Sequence, residues 1–257
     1  MKRLLLILVL LCISSSTELT QACQCKEYGT PICAQFWRSD AVFVGEVFDV
    51  RPLKEKPDDV YEYVIAHFKV RESFRGVPGP TVRVATATTM CDTKFKKGKR
   101  YLVYASLHDN QLFTGMCRGT TLAVDIDDDV KELRKLAQRE VGESVSGRIV
   151  AQRYHGVPGI MVEVTGGDKT FKTKTTKNGD FSFASLGRGS FTVRVTVPYE
   201  ALLVTYSDDV PVRSTKTKSL STFEYDVTLE QSQCSYVEVD VYGTDPALKL
   251  VIQRTRH

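Results

Sequence analysis

Apolar and polar side chains alternate along most of this chain, and helical spacing is confined to one short stretch. Residues 61–70 (YEYVIAHFKV) place Val64, Ala66, Phe68 and Val70 at every second position, as a half-buried strand should. Residues 41–48 and 81–85 read as further strands. Residues 100–105 and 111–114 bracket His108-Asp109-Asn110, a natural turn. Five or so strands at this spacing fit a small closed barrel. One helix is expected next, opened by Asp127-Asp128-Asp129 and closed by Gly142, with Val130, Leu133, Leu136, Ala137 and Val141 as its apolar stripe. The acidic run resembles a calcium loop only superficially: position six would need Gly and is Val130, and position twelve would need Glu and is Leu136. Its carboxylates complement the positive end of the helix dipole instead.

From Ser144 onward the pattern is all β. Residues 145–150, 160–164, 170–176, 223–229 and 236–242 read as strands. Phe181, Phe183, Phe191, Val193 and Val195 supply one buried side. Lys177-Asn178-Gly179-Asp180 is a hairpin signal, because Asn-Gly accepts positive φ readily. Short strands at regular spacing argue for a β-sandwich.

The ends and the cysteines set the compartment. Met1-Lys2-Arg3, the apolar residues 4–13 and the small residues Thr20 and Ala22 together read as a secretory signal peptide, residues 1–22. A cut before Cys23 leaves a cysteine at the mature N-terminus, and a cut near Ser16 or Thr17 stays open. Acylation of Cys23 is a further option, which in a bacterium would give a lipid-anchored or periplasmic protein. The apolar run of the leader is itself too short to span a bilayer, and no second one occurs. Of seven cysteines, Cys12 leaves with the leader. The six that remain are an even set, as expected for three disulfides in a secreted chain. A formal net charge of +4 does not suggest nucleic acid as a partner.

Two stretches carry a resemblance. Cys23-Gln24-Cys25, Cys33, residues 40–45 (DAVFVG), Cys91, the Phe95–Val103 stretch FKKGKRYLV and Cys117 resemble the netrin-like domain of tissue inhibitors of metalloproteinases. Val145-Ser146-Gly147-Arg148, Gly156-Val157-Pro158-Gly159, residues 178–183 (NGDFSF) and 186–191 (LGRGSF) resemble the carboxypeptidase regulatory-like sandwich. The resemblance implies a mainly β protein. An OB-fold-like netrin barrel with one helix would cover residues 23–142. A transthyretin- or immunoglobulin-like β-sandwich would cover 144–243, and a last strand or tail 244–257.

It also implies a site. In the inhibitor family the α-amine and carbonyl of the first cysteine chelate the catalytic zinc of the target protease. Here Cys23 would be the chelator and Gln24 the residue entering the specificity pocket. Cys25, Thr89, Met90 and Cys91 would form the adjoining ridge. The implied disulfides are Cys23–Cys91 and Cys25–Cys117. The chain departs from the family at two places: Gln24 stands where a small hydroxyl residue is usual, and no cysteine lies between Arg118 and Val141. Cys234 is then the candidate partner of Cys33, unless both stay free or pair with another molecule. The protein would hold no metal or cofactor of its own.

Lys94, Lys96, Lys97, Lys99 and Arg100 crowd one loop, either a solvated turn or a docking site for a polyanion. Neither HExxH, GxSxG, a P-loop nor GxGxxG occurs, so catalysis is not expected. The expected function is secreted, non-catalytic protein recognition. Its sharpest form is inhibition of a metalloendopeptidase through Cys23. The alternative is an extracellular binding or structural module, with a protein or polysaccharide partner and no inhibitory activity.

Overall fold

The computed structural model describes residues 30–53, 62–89, 92–152, 155–198, 202–205, 212–217 and 220–242. The expected leader, the Cys23–Cys25 stretch, Met90, Cys91 and the tail at 244–257 lie outside these residues. The described part is mainly β, arranged in three sheets with two helices.

The first half begins with a helix, α1 (Ile32–Arg38), followed by β1 (Ala41–Leu53), β2 (Tyr63–Arg75), β3 (Thr81–Ala87), β4 (Arg100–His108) and β5 (Gln111–Phe113). A single 3₁₀ turn (Met116–Arg118) and β6 (Thr121–Leu122) lead to helix α2 (Asp127–Ala137). The strands run in the order β1-β2-β3-β5-β4-β6, and β1 also pairs with β4, so the sheet closes on itself. Register shifts at Val42/Phe43, Val44/Gly45 and Val47/Asp49 bend β1 and let one strand serve two neighbours.

The β1–β4 pair is a wall between two cores. Ala41, Phe43 and Val47 of β1, with Tyr101, Val103 and Ala105 of β4, face the inside of the closed sheet. Val42 and Val44, with Leu102 and Tyr104, face the other way, toward α1 and α2. Burial on both faces explains why residues 41–44 and 101–105 read as nearly unbroken apolar runs.

The second half comprises β7 (Ser144–Ala151), β8 (His155–Gly156), β9 (Met161–Gly166), β10 (Lys169–Lys174), β11 (Asp180–Phe183), β12 (Gly189–Val197), β13 (Leu202–Thr205), β14 (Val212–Thr217), β15 (Leu220–Leu229) and β16 (Cys234–Tyr242). One sheet has the order β10-β9-β12-β15-β14. The other has the order β11-β7-β16-β13, with β8 on β7. β7 and β16 are parallel neighbours. Val145, Ile149, Phe181 and Val239 of one sheet meet Val162, Val193, Val195 and Phe223 of the other in a shared apolar core.

A third core joins the halves. Cys33 and Phe36 of α1 and Leu133 and Leu136 of α2 pack with Cys234 and Tyr236 of β16. A disulfide joins Cys33 to Cys234, with Cα atoms 6.1 Å apart. Trp37 donates its indole N–H to the Ser232 carbonyl (2.9 Å), and Arg38 donates to the Tyr236 carbonyl (2.6 Å). The Arg75 guanidinium lies 4.8 Å from the Trp37 ring centroid. Of the alternatives open for Cys33 and Cys234, the structure has the intramolecular bridge.

Three expectations about local structure are corrected. Helix α1 was not expected, because its seven residues are too few to establish a helical period and Pro31 opens it without a side-chain cap. Helix α2 ends at Ala137, well before Gly142. Arg139 takes a left-handed φ of +58°. Its N–H bonds the Leu136 carbonyl, and the Glu140 N–H bonds that of Lys135, the paired closing bonds of a Schellman stop. Asn178-Gly179 does not turn a hairpin between paired strands. β10 pairs with β9 and β11 with β7, so this turn crosses from one sheet to the other. Gly179 (φ +83°) passes so close to β7 that a Cβ would lie 2.2 Å from the Ile149 carbonyl oxygen.

Candidate functional site

Of the expected ridge residues, Thr89 is the one the structure describes. It occupies a bend directly after β3. Thr88, just before it, gives both its N–H (2.9 Å) and its hydroxyl (3.1 Å) to the Glu62 carbonyl, so the end of β3 is tied to the start of β2. Thr89 donates its hydroxyl to the Asp92 carboxylate, and the Asp92 N–H returns a bond to the Thr89 carbonyl (3.3 Å). These two bonds fasten together the ends of the segment that carries Met90 and Cys91. Residues 89 and 92 are the clasp, and sequence reading found one half of it. The Thr-x-x-Asp spacing was the available signal for Asp92.

The chain around Cys117 is anchored beside β4 by hydroxyls rather than by a strand ladder. Thr114 and Thr120 both donate to the Tyr104 carbonyl (2.6 and 3.1 Å), and the Tyr104 N–H donates to the Thr120 hydroxyl (2.9 Å). Arg118 reaches back to the Ser106 hydroxyl (2.6 Å). Cys117 is disulfide-bonded. Its expected partner Cys25 lies outside the described residues, as do Cys23 and Cys91, the other expected pair. Gly115, the first residue of this segment, faces Asp92: a Cβ there would lie 3.2 Å from the Asp92 Oδ1. The clasp and the Cys117 segment therefore meet at one end of the closed sheet.

A second feature lies on the outside of that sheet. Phe48 (45% exposed), His67, Arg83, Leu107 (50% exposed) and Gln111 border an open groove of about 560 Å³. Phe48 meets His67 edge-on, with ring centroids 5.8 Å apart. Sequence reading did not single these residues out, because they come from five strands and carry no local motif.

Lys94, Lys96, Lys97, Lys99 and Arg100 are all exposed and lead into β4. Among the described residues, none of the five has a carboxylate within ion-pair distance. Between α2 and β4, burial pushes the Tyr104 phenol well above its ordinary value, with help from Asp129 and Glu132. Glu132 is itself raised, first by burial and then by Asp129. Among the described residues, no three His, Cys, Asp or Glu side chains are grouped so as to hold a metal ion. No helix among them is long and apolar enough to cross a membrane. No protein-family model matches the chain, and no curated protein matches it.

Proposed function

We propose that this is an exported recognition protein that inhibits a zinc metallopeptidase with the end of its closed sheet, using Cys23 as the chelator. In this reading the first half is a netrin-like OB barrel and the second a carboxypeptidase regulatory-like sandwich that braces it. The strand order β1-β2-β3-β5-β4, returning to β1, supports an OB-type barrel. The disulfide across the seam supports folding in an oxidising compartment.

The Thr89–Asp92 clasp carries the proposal most directly. An inhibitor that presents backbone to an active site gains affinity when its loop is already shaped, because less conformational freedom is lost on binding. The clasp fixes the ends of the 90–91 segment without using any side chain within it. A catalytic zinc keeps one position open for water. A neutral α-amine and its neighbouring carbonyl can occupy that position as a five-membered chelate. Gln24 would follow into the pocket, where its amide needs hydrogen-bond partners to offset desolvation.

The test is a chain with one alanine added before Cys23, assayed beside the native protein against a panel of zinc endopeptidases. N-terminal sequencing of the exported protein first establishes that Cys23 is the free terminus. The native protein should inhibit at least one member of the panel. The added residue should weaken that inhibition by at least about a hundredfold, as expected when a central contact is removed. Equal inhibition by both chains, or none by the native chain, would leave the closed sheet as a binding module without inhibitory activity.

A further inference from the structure

We propose that the basic turn before β4, with the outer face of β1 and β2 beside it, is a docking site for an acidic polysaccharide. This surface is separate from the Thr89–Asp92 clasp and does not depend on protease inhibition.

The cations stand on a fixed frame. Gly98 has φ +78° and lies at the tip of the turn. Its N–H donates to the Val47 carbonyl (2.7 Å), and the Val47 N–H donates to the Lys99 carbonyl (3.0 Å). Below the turn, the Tyr101 hydroxyl accepts the Lys96 N–H (3.0 Å) and donates to the Lys94 carbonyl (3.3 Å). Phe95 is buried between Phe68 and Tyr101, each with its ring centroid 5.0 Å away. The backbone that carries Lys96, Lys97 and Lys99 is therefore pinned at both ends and from beneath. A charged ligand that docks there orders little beyond the lysine side chains themselves.

The same register extends the positive charge across the sheet. Arg100 pairs with Glu46 across β4 and β1, and Glu46 pairs with Lys69 across β1 and β2. Glu46 is the acid in this row, and Arg71 already holds it at 2.6 Å. Positive charge is thus left over across three strands. Phe48, one residue beyond Val47, then opens onto the groove with His67 and Arg83. A half-exposed aromatic ring beside a line of cations suits a ligand that alternates acidic groups with the C–H faces of sugar rings.

Two other polyanions fit less well. Single-stranded nucleic acid needs successive aromatic platforms, and Phe48 is the one exposed aromatic ring beside the turn among the described residues. Anionic headgroups would also attract a basic cluster, but the tip, Lys96-Lys97-Gly98-Lys99, offers no apolar side chain to insert beside the charges. The Cys33–Cys234 bridge also favours an extracellular polymer over an intracellular one.

The experiment measures binding of the full exported chain to a heparin decasaccharide, with neutral dextran, an oligothymidylate and phosphatidylserine-containing vesicles as competing probes. Native protein should bind the decasaccharide, ignore dextran, and lose affinity as salt rises from about 0.05 to 0.5 M. Charge reversal by K96E, K97E and K99E together should weaken binding by at least about tenfold. Neutralisation of the same three lysines to glutamine should give an intermediate loss, with an unchanged thermal midpoint showing that the fold is intact. The control K169E, K174E and K177E alters net charge equally on exposed sandwich positions and should change affinity by less than about twofold. Equal weakening by the control set would overturn the proposal. So would tighter binding of the oligothymidylate or the vesicles than of the decasaccharide.

Discussion

Two faces of this protein are rich in charge, and they are built in opposite ways. On the outer face of the β10-β9-β12-β15-β14 sheet, Lys172, Glu163, Arg194, Glu224 and Arg213 form a single cross-strand row of alternating sign. Lys172 meets Glu163 and Arg194 meets Glu224, each at 2.5 Å, and Arg213 continues to Asp226 at 2.8 Å. On the closed sheet, Lys94, Lys96, Lys97 and Lys99 stand without such partners among the described residues, and Arg100 has Glu46 opposite it in register but forms no ion pair with it, Glu46 being held by Arg71. The number of charges is therefore a poor guide to function. A row that neutralises itself supports strand pairing and gives a partner little to hold, whereas unmatched cations on a pinned turn project a net field.

The hardest blow to both faces at once is removal of the bridge that ties their supports together. Replacing Cys33 and Cys234 by serine opens a link between residues 201 positions apart in sequence. It should cost about 3–5 kcal/mol in unfolding free energy, measured by denaturant titration under non-reducing conditions. Decasaccharide binding at moderate temperature should survive, because the frame of the basic turn lies wholly within the closed sheet. A loss below about 1 kcal/mol would mean that the seam core holds without its bridge.

A sharper cut uses the same reversal on each face. R194E sets a third carboxylate between Glu163 and Glu224, which lie directly opposite it on both neighbouring strands. It should destabilise by about 1–2 kcal/mol. K97E, at the tip of the turn, should stay within about 0.5 kcal/mol of the native protein. Thermal or urea unfolding of the two variants compares them directly. Equal costs would erase the distinction between the two faces.

Much of this fold could be read from the strand pattern, and the gaps have physical causes. Period-two runs located β2, β3, β7, β9, β12, β15 and β16, because each has a buried face that fixes apolar spacing. β1 and β4 were legible as nearly unbroken apolar runs because both their faces are buried, and β5 was legible from the turn before it. The pairing of β1 with both β2 and β4 could not be read, since it depends on bulges that leave no local signature. The Asn178-Gly179 turn was legible as a turn but not as a crossing between sheets, because a turn residue encodes φ and not the sheet its strand will join. β14 was missed because its Lys, Arg, Ser and Thr residues suit an edge position and show little apolar alternation. Of the candidate functional features, the basic loop was plain in the sequence as a charge run. Its frame through Val47 and Tyr101, and the groove beside Phe48, exist only once distant strands meet.

The smallest expected effect lies in acid, and it tests whether the sandwich row is held together by its pairs. Arg213 donates to the Asp226 carboxylate at 2.8 and 3.2 Å, and the Thr192 hydroxyl donates at 2.7 Å. The Arg213 bond chiefly, and the Thr192 bond after it, hold this carboxyl at about 2, below its ordinary 3.8. A carboxyl lowered by folding stabilises the folded state above its unfolded value and loses that contribution as it protonates. The contribution from Asp226 should therefore be complete above pH 3.8 and fade as the pH falls toward 2. Because the side chain is 55% exposed, solvent screening should keep its size within about 0.5 kcal/mol. Carboxyl-detected NMR titration should place the Asp226 midpoint near 2 in the native chain and move it upward in R213Q. A native midpoint at the ordinary value would mean that the pair contributes nothing, and the self-neutralising row would then be no more than an alignment of side chains.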